Sequence, residues 1–195
     1  MSNDPQNSSR RKTPVALTAA AGGVAATGAA VPFIASLAPS ERAKAAAGPV
    51  GVDLDAIKLA ELYTVAWRGR PVWILRRTPD MLERLPTAEP FLSDPKSEVS
   101  SQQPPYARNE TRSIEPEVLV TVALCTHLGC IPSYFPGPNT VQPGWPGGFY
   151  CPCHGSKFDL AGRVYRRSPA PTNLVIPPHH YLSPTTILVG DDGTA

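Results

Sequence analysis

The sequence lacks a cluster of positive charge beyond its first twelve residues. Three of the 18 lysines and arginines precede residue 13, as does one of the 16 acidic residues, so 15 of each sign remain in the rest of the chain. Proteins that bind nucleic acid carry a clustered basic face. The charge balance therefore predicts no nucleic-acid partner.

Charge of either sign is absent from residues 13–40, a stretch rich in Ala and Gly that follows the basic segment 10–12. As a helix, this stretch is long enough to cross about 30 Å of hydrocarbon. It is either a cleaved export signal, with small residues at 35–38 as a processing site, or an uncleaved anchor. Small residues four apart, such as Ala19 and Gly23, favour an anchor that packs against another membrane helix.

A twin-arginine pair, Arg10 and Arg11 after Ser9, precedes this stretch and is typical of bacterial export signals. The basic end is expected to stay in the cytoplasm while the remainder is exported. The predicted organisation is a cytoplasmic basic N-terminus at 1–12, a transmembrane signal anchor at 13–38, a flexible tether at 39–51 and a domain at 52–195. Within the tether, residues 41–47 can coil or extend.

Proline is frequent, with 24 residues, and it predicts rigid loops and few long helices. Thr78 is expected to cap a short helix that begins with Pro79, and residues 86–117 are expected to form a loop. Strands are predicted at 64–67, 72–75, 118–124, 149–150, 174–176 and 186–189, with a turn at 69–71 between the first two. The pattern is all-β.

Cysteine and histidine are scarce, with four of each. All four cysteines and two histidines lie in two windows, CTHLGC at 125–130 and CPCHGS at 151–156. Each window offers one thiolate and one imidazole to a shared metal centre and leaves one thiol over. Two disulfides with unrelated histidines, or a structural Cys/His zinc site that stabilises a binding module, are the alternatives. His179 and His180 lie beside two prolines in a predicted loop, and no role is assigned to them.

The motifs C-x-H-x-x-C and C-P-C-H-G-S resemble those of the Rieske iron-sulfur proteins. The anchor, the tether and the all-β head are similar in layout to the Rieske subunits of bacterial ubiquinol:cytochrome c oxidoreductases. The resemblance implies an antiparallel β-sandwich-like head with a small cluster-binding part at about 124–171, preceded by one N-terminal transmembrane helix. It also implies a Rieske-type 2Fe-2S cluster.

Carried over residue by residue, the resemblance gives each member of the windows a role. The implied roles are one iron held by Cys125 and Cys151, the other iron held by His127 and His154, and a disulfide between Cys130 and Cys153.

The resemblance extends to residues around the cluster. Leu128 is expected to cover it, and Ser156 is expected to donate a hydrogen bond to a cluster sulfur. Pro169 is expected to belong to a proline-rich loop on the third side, which here begins with Ser168 in place of the family's usual Gly. Phe158 stands where many high-potential members have Tyr, which predicts a lower reduction potential.

Two neutral imidazoles in place of two thiolates make the cluster less negative and raise its potential, which suits quinol oxidation. Each ligated histidine also keeps one ring nitrogen for a proton, so reduction is expected to draw a proton as well as an electron. The resemblance implies that His154 hydrogen-bonds the quinol hydroxyl and accepts its proton. His127 is implied to carry the other proton that is coupled to the redox step.

The implied protein is the catalytic iron-sulfur subunit of an electron-transfer translocase in the inner membrane of a bacterium, with its head in the periplasm. The implied partners are a cytochrome b subunit and a c-type cytochrome subunit in a dimeric complex, quinol, and membrane lipid. The alternatives are the Rieske small subunit of an exported molybdenum oxidase and a soluble Rieske electron carrier. The extra cysteine pair and residues 13–40 argue against the soluble carrier.

Overall fold

The computed structural model describes residues 5–40, 43 and 47–193, with residues 5–11 described by their backbone alone. The chain divides into two compact units, Met1–Ala45 and Ala46–Ala195. Most of the predicted coil-or-extended segment at 41–47 lies outside the described residues, as do residues 1–4 and 194–195.

The first unit is a single long helix, α1, at Pro5–Ser36, which contains Pro14 and Pro32. The part from Lys12 to Ser36 is long and apolar enough to cross a membrane, by length and composition. Its side chains are exposed throughout. The predicted apolar helix is therefore confirmed, and it starts upstream of the charge-free stretch.

The described residues of the second unit form nine strands in three antiparallel sheets of three strands each, with the orders β1-β9-β8, β2-β3-β4 and β5-β6-β7. The strands are β1 Val50–Asp53, β2 Leu62–Trp67, β3 Arg70–Arg76, β4 Val118–Val122, β5 Ser133–Phe135, β6 Gly148–Cys151, β7 Ser156–Phe158, β8 His179–Ser183 and β9 Thr186–Val189. A helix, α2, spans Pro79–Ala88, and 3-10 turns lie at Glu89–Phe91, Ser100–Gln102 and Pro105–Ala107. The predicted all-β head is confirmed.

Strand β3 is buried on both faces. Val72 and Ile74 belong to a core that contains residues of β1 and β9, whereas Trp73 and Leu75 belong to a second core that contains residues of β6 and β7. Successive side chains of a strand point to opposite faces, so one strand serves both cores. Trp73 stacks on Phe149 of β6 with ring centroids 5.0 Å apart. This contact fixes the β5-β6-β7 sheet, which carries the second Cys/His window, on the β2-β3-β4 sheet.

Two local predictions hold with shifted boundaries. The hairpin between β2 and β3 turns at Arg68 and Gly69, whose φ angles are 48° and 71°, as a tight two-residue hairpin turn requires. The predicted turn at 69–71 was therefore placed too late. In α2, the Thr78 side chain accepts a hydrogen bond from the backbone N–H of Met81 at 3.3 Å, which confirms the predicted cap. The helix continues to Ala88, past the predicted start of the loop.

Two other predictions are wrong. Residues 174–176 join no ladder, because their backbone groups bond to separate segments: Leu174 N–H to Gly162, Ile176 N–H to Gln102. His179 and His180 begin strand β8 rather than lying in a loop. His179 is a buried packing residue, with its ring edge-on to Tyr106 at 5.4 Å. Strands β1 and β5 are short and were not predicted.

Candidate metal centre

The first Cys/His window is a tight loop that follows β4. Cys125 is buried, and its backbone N–H donates to the carbonyl of Cys130 at 2.8 Å. The N–H of Gly129 donates back to the Cys125 carbonyl at 2.9 Å. Gly129 has φ +80°, a conformation that glycine adopts without steric cost. Gly129 thus lets the chain turn back toward Cys125, and His127 lies inside this turn.

The second window repeats this arrangement in the hairpin between β6 and β7. Cys151 is the last residue of β6 and pairs with Ser156, the first of β7. The N–H of Gly155 donates to the Cys151 carbonyl at 2.9 Å, and Gly155 has φ +81°. Both windows therefore use the hydrogen bond from a left-handed glycine to a cysteine four residues earlier, with a histidine inside the turn.

A disulfide between Cys130 and Cys153 joins the two loops, with Cα atoms 6.7 Å apart. Cys125 and Cys151 remain free and buried. The Sγ atom of Cys151 lies within 4.8 Å of the two disulfide sulfurs. A sulfur in a disulfide is not available as a thiolate ligand, so this trio is not itself a metal site. It places the disulfide directly beside a free thiol.

The histidines of the two windows face each other. The rings of His127 and His154 are 4.7 Å apart between centroids and nearly perpendicular, at 89°. His154 is exposed and His127 is half-buried. The Nδ1 atom of His127 is buried and has no hydrogen-bond partner among the described residues. A buried ring nitrogen without a partner is unfavourable and fits a metal ligand.

The chemistry of the two free cysteines also fits a metal cluster. Burial raises the pKa of the Cys151 thiol, the backbone N–H of Cys153 opposes this, and the neighbouring Cys125 raises the pKa further. Two buried thiols side by side resist ionisation unless positive charge is present. The two irons of a 2Fe-2S cluster supply that charge, and two thiolates with two imidazoles are the ligands of a Rieske centre.

The predicted proline-rich loop is tied to both windows by side-chain hydroxyls. Thr126 donates to the carbonyl of Thr172 at 2.7 Å. Ser156 accepts the N–H of Ala170 at 3.0 Å, and Ser168 accepts the N–H of Lys157 at 3.2 Å. None of these three hydrogen bonds was predicted from the sequence; the role expected of Ser156, donation to a cluster sulfur, stays a prediction. The hydrogen bond from Thr126 to Thr172 joins residues far apart in sequence, and no sequence motif predicts it.

Ser168, which stands where the family usually has Gly, causes no backbone strain at its own position. The left-handed backbone conformation in this segment belongs to Arg167, with φ 63°, while Ser168 is outside that region. The serine hydroxyl contributes the bond to β7 that a glycine could not make. Pro169 is exposed and Ala170 is buried under the loop.

The other residues singled out from the sequence divide between surface and core. Leu128 is 71% exposed, next to the half-buried His127. Phe158 is fully buried, in the same core as Cys125 and Cys151. The structure therefore brings the two Cys/His windows together at the Cys151–Ser156 end of the β6–β7 hairpin, with Phe158 in the core that contains Cys125 and Cys151.

Buried arginines that the sequence reasoning missed hold the turn that follows β7. Asp159 accepts two backbone N–H groups of its own turn and the Arg163 guanidinium, at 2.7 Å from Nε. Arg77 and Arg112 donate to carbonyls of the same turn. Burial lowers the pKa of Arg77 to about 9 and of Arg112 to about 10, against the effect of Asp159. Arg77 and Arg112 remain protonated at neutral pH, and their hydrogen bonds offset the cost of burial.

Two family models match this chain. A family model described as "Rieske [2Fe-2S] domain" matches residues 98–178. A second, described as "Ubiquitinol-cytochrome C reductase Fe-S subunit TAT signal", matches residues 1–40 and confirms the twin-arginine prediction. Among solved structures, a chain of a "Hyperthermophilic respiratory Complex III" is similar with a TM-score of 0.47 and 24% identity, over 90% of this chain and 98% of that chain.

Curated relatives match over nearly the whole length. The ubiquinol-cytochrome c reductase iron-sulfur subunit of Allochromatium vinosum is 54% identical over 194 residues, which cover 98% of this chain and 93% of the relative. The subunit of the same name from Blastochloris viridis is 36% identical, with 97% of each chain covered. The protein therefore belongs to the family of ubiquinol-cytochrome c reductase iron-sulfur subunits, and its head is a Rieske [2Fe-2S] domain.

Proposed function

We propose that this chain takes one electron and one proton from quinol and passes the electron to a c-type cytochrome. The observation that carries the proposal is the exposed ring of His154, packed against His127 at the tip of two loops whose cysteines are buried. A ligand imidazole at the surface can contact a substrate that the buried sulfurs cannot reach. The relative from Allochromatium vinosum is named for ubiquinol and cytochrome c, which supports the same reaction.

The proposed ligands are Cys125 and Cys151 for one iron and His127 and His154 for the other. The bound cluster supplies one-electron oxidation and reduction. The disulfide between the loops keeps the two pairs of ligands together, so the protein gains or loses the electron with little rearrangement of its own chain.

His154 is the proposed contact for quinol. Its ring nitrogen that does not bind iron accepts a hydrogen bond from the quinol hydroxyl and then its proton, while His127 holds the other redox-coupled proton. Leu128, 71% exposed beside His127, provides an apolar cover over this end of the head. Covering the site with apolar surface excludes water and strengthens the hydrogen bond to quinol.

The proposed setting is the inner membrane of a bacterium, with residues 1–12 in the cytoplasm, an anchor at 13–38 and the head, predicted at 52–195, in the periplasm. The tether, predicted at 39–51, ends where β1 of the head begins at Val50. The apolar segment Lys12–Ser36 supports the anchor, and the basic residues before it support the orientation. The partners are the cytochrome b and c-type cytochrome subunits of a dimeric complex, quinol, and lipid. In this setting the chain is a catalytic subunit, and residues 124–171 are its cluster-binding part.

Two histidine variants, one at His154 and a control at His180, test the proposal. In the complex purified in mild detergent, His154→Asn should abolish both the reduced-state electron spin resonance of the cluster and quinol-dependent reduction of the cytochrome. His180→Asn is the matched control, because His180 lies on β8 and its Nδ1 bonds the backbone of Asp191. It should leave both readouts intact.

The wild-type chain should also copurify with b-type and c-type haem. Purification without either haem, or quinol oxidation that persists in His154→Asn, would contradict the proposed function.

A further inference from the structure

A cavity of about 500 Å³ lies in the head and contains none of the proposed cluster ligands. It is formed by the 3-10 turn Glu89–Phe91, the segment before β6, strand β7 and the turn that precedes the proline-rich loop. Its apolar wall consists of Pro90, Phe91 and Pro143, and Phe91 is 60% exposed. Exposed aromatic surface next to a cavity is typical of a ligand-binding site.

Three cations line this cavity: Lys157, Arg166 and Arg167. No acidic residue lines it among those that the structure describes. Lys157 hydrogen-bonds the neutral side chain of Gln142, and Arg166 donates from Nε to the carbonyl of Leu92 at 2.9 Å. Residues 52–195 contain 13 basic and 14 acidic side chains, so three cations without a carboxylate partner in the described part of the chain create a local positive field.

Two buried polar groups at the same cavity also lack partners. Trp145 is 1% exposed and Tyr165 is 6% exposed, and both line the cavity. The indole Nε1 and the phenol oxygen have no hydrogen-bond partner among the described residues. Leaving such groups unsatisfied is unfavourable.

The two groups are available as neutral donors. Burial raises the pKa of Tyr165, and Asp159 raises it further, so the phenol keeps its proton at neutral pH. The nearby Trp145 N–H opposes this rise in the pKa of Tyr165. The two groups are nevertheless not oriented for a hydrogen bond to each other. An indole N–H can only donate, so the pair suits a ligand rich in acceptor oxygens.

We propose that this cavity binds the phosphate group of a phosphate ester. Lysine and arginine provide the charge, Trp145 and Tyr165 provide neutral donors, and Pro90, Phe91 and Pro143 provide a surface for the organic part. A phosphate presents more acceptor oxygens than a carboxylate and matches the fork of an arginine. This is a binding site separate from the metal centre, and it does not depend on the proposed electron transfer.

Calorimetric titration with glycerol 3-phosphate tests the site on the full chain with its cluster, in uncharged detergent at fixed ionic strength. Wild-type protein should show saturable binding at one site. Lys157→Gln with Arg167→Gln should weaken binding by about tenfold or more, since two charge-assisted hydrogen bonds are lost. Tyr165→Phe keeps every charge and should weaken binding by about threefold through the loss of one neutral hydrogen bond.

The matched control is Lys58→Gln with Arg70→Gln, which removes the same charge from exposed positions that do not line the cavity. It should bind like the wild type, and the cluster spectrum should be the same in all variants. Absence of saturable binding, equal weakening in the two double variants, or wild-type affinity in Tyr165→Phe would each overturn the proposal.

The source of the phosphate is settled by competition. If a lipid headgroup is the ligand, micelles containing phosphatidylglycerol should compete with glycerol 3-phosphate, and micelles containing zwitterionic phosphatidylcholine should compete less. If neither lipid competes, the ligand is a soluble phosphate ester. Both results support a phosphate site.

Discussion

Ser156 and Phe158 are both buried on β7, two positions apart, but only one carries a hydroxyl. The Ser156 oxygen accepts the N–H of Ala170, which leaves its own proton free to donate. A hydroxyl that donates to a cluster or ligand sulfur favours the reduced, more negative state. Phe158 lies in the same core as both free cysteines and offers no such bond. We infer that the potential is tuned by a hydrogen bond that Ser156 donates to a cluster sulfur and by the absence of such a bond from Phe158.

Replacing Phe158 with Tyr should raise the reduction potential. If the new hydroxyl adds one hydrogen bond that favours reduction by about 1 kcal/mol, the rise is on the order of 40 mV for one electron. Redox titration followed by electron spin resonance measures it. Ser156→Ala, which removes a donor, should shift the potential in the opposite direction. A potential that stays constant or falls in Phe158→Tyr would refute the inference.

At the scale of the elements, the metal centre is three loops that depend on one another. The disulfide joins the first and second, Ser156 and Ser168 join the second to the proline-rich loop, and Thr126 joins the first to that loop through the carbonyl of Thr172. The strands beneath supply a rigid base, since β6 packs on β3 through Phe149 and Trp73. The loops therefore hold each other over the cluster.

Thr126→Val should speed the loss of the cluster. It removes the hydroxyl that donates to Thr172 at 2.7 Å while keeping the shape of the side chain, and one such bond contributes about 1 kcal/mol. Loss of the visible absorbance at raised temperature should become about fivefold faster. Thr140→Val is the matched control, because its hydroxyl donates to the carbonyl of Gly137 within the same exposed turn. Equal rates in the two variants would show that the bond to Thr172 does not hold the loop.

At the scale of the whole molecule, the chain joins an apolar helix to a β head, and the two are separate units. Within the head, two cores share β3, so the head is expected to move as one body. An electron carrier that visits two partners needs freedom between its anchor and its head. We propose that the predicted tether at 39–51 provides it as far as residue 49, because Val50 and Gly51 belong to β1 and pair with β9 of the head.

A proline-rich spacer in place of residues 41–47 should slow quinol turnover several-fold, because such spacers are stiff. The electron spin resonance of the cluster should be unchanged, since the head is intact. A Gly/Ser spacer of the same length is the control and should keep turnover close to that of the wild type. Equal turnover with the two spacers would contradict the proposal that the head moves on a flexible tether.

Much of this protein followed from local sequence. The apolar helix, the β2–β3 hairpin and the Thr78 cap depend on residues that are neighbours in the chain, which is why pattern and turn chemistry predicted them. The two Cys/His windows were also readable, because the turn that holds each histidine needs only a cysteine and a glycine four residues later. Through its motifs the sequence by itself determined the class of cofactor.

The tertiary structure decided the contacts between distant residues. Residues 174–176 were predicted as a strand because they are apolar, yet their backbone groups find partners in three separate segments. The bond from Thr126 to Thr172, the buried arginines around Asp159 and the cavity beside Trp145 likewise join parts of the chain that have no common local pattern. Packing between elements decides which buried polar groups have hydrogen-bond partners within the protein and which can bind a ligand. Only the folded chain fixes that packing.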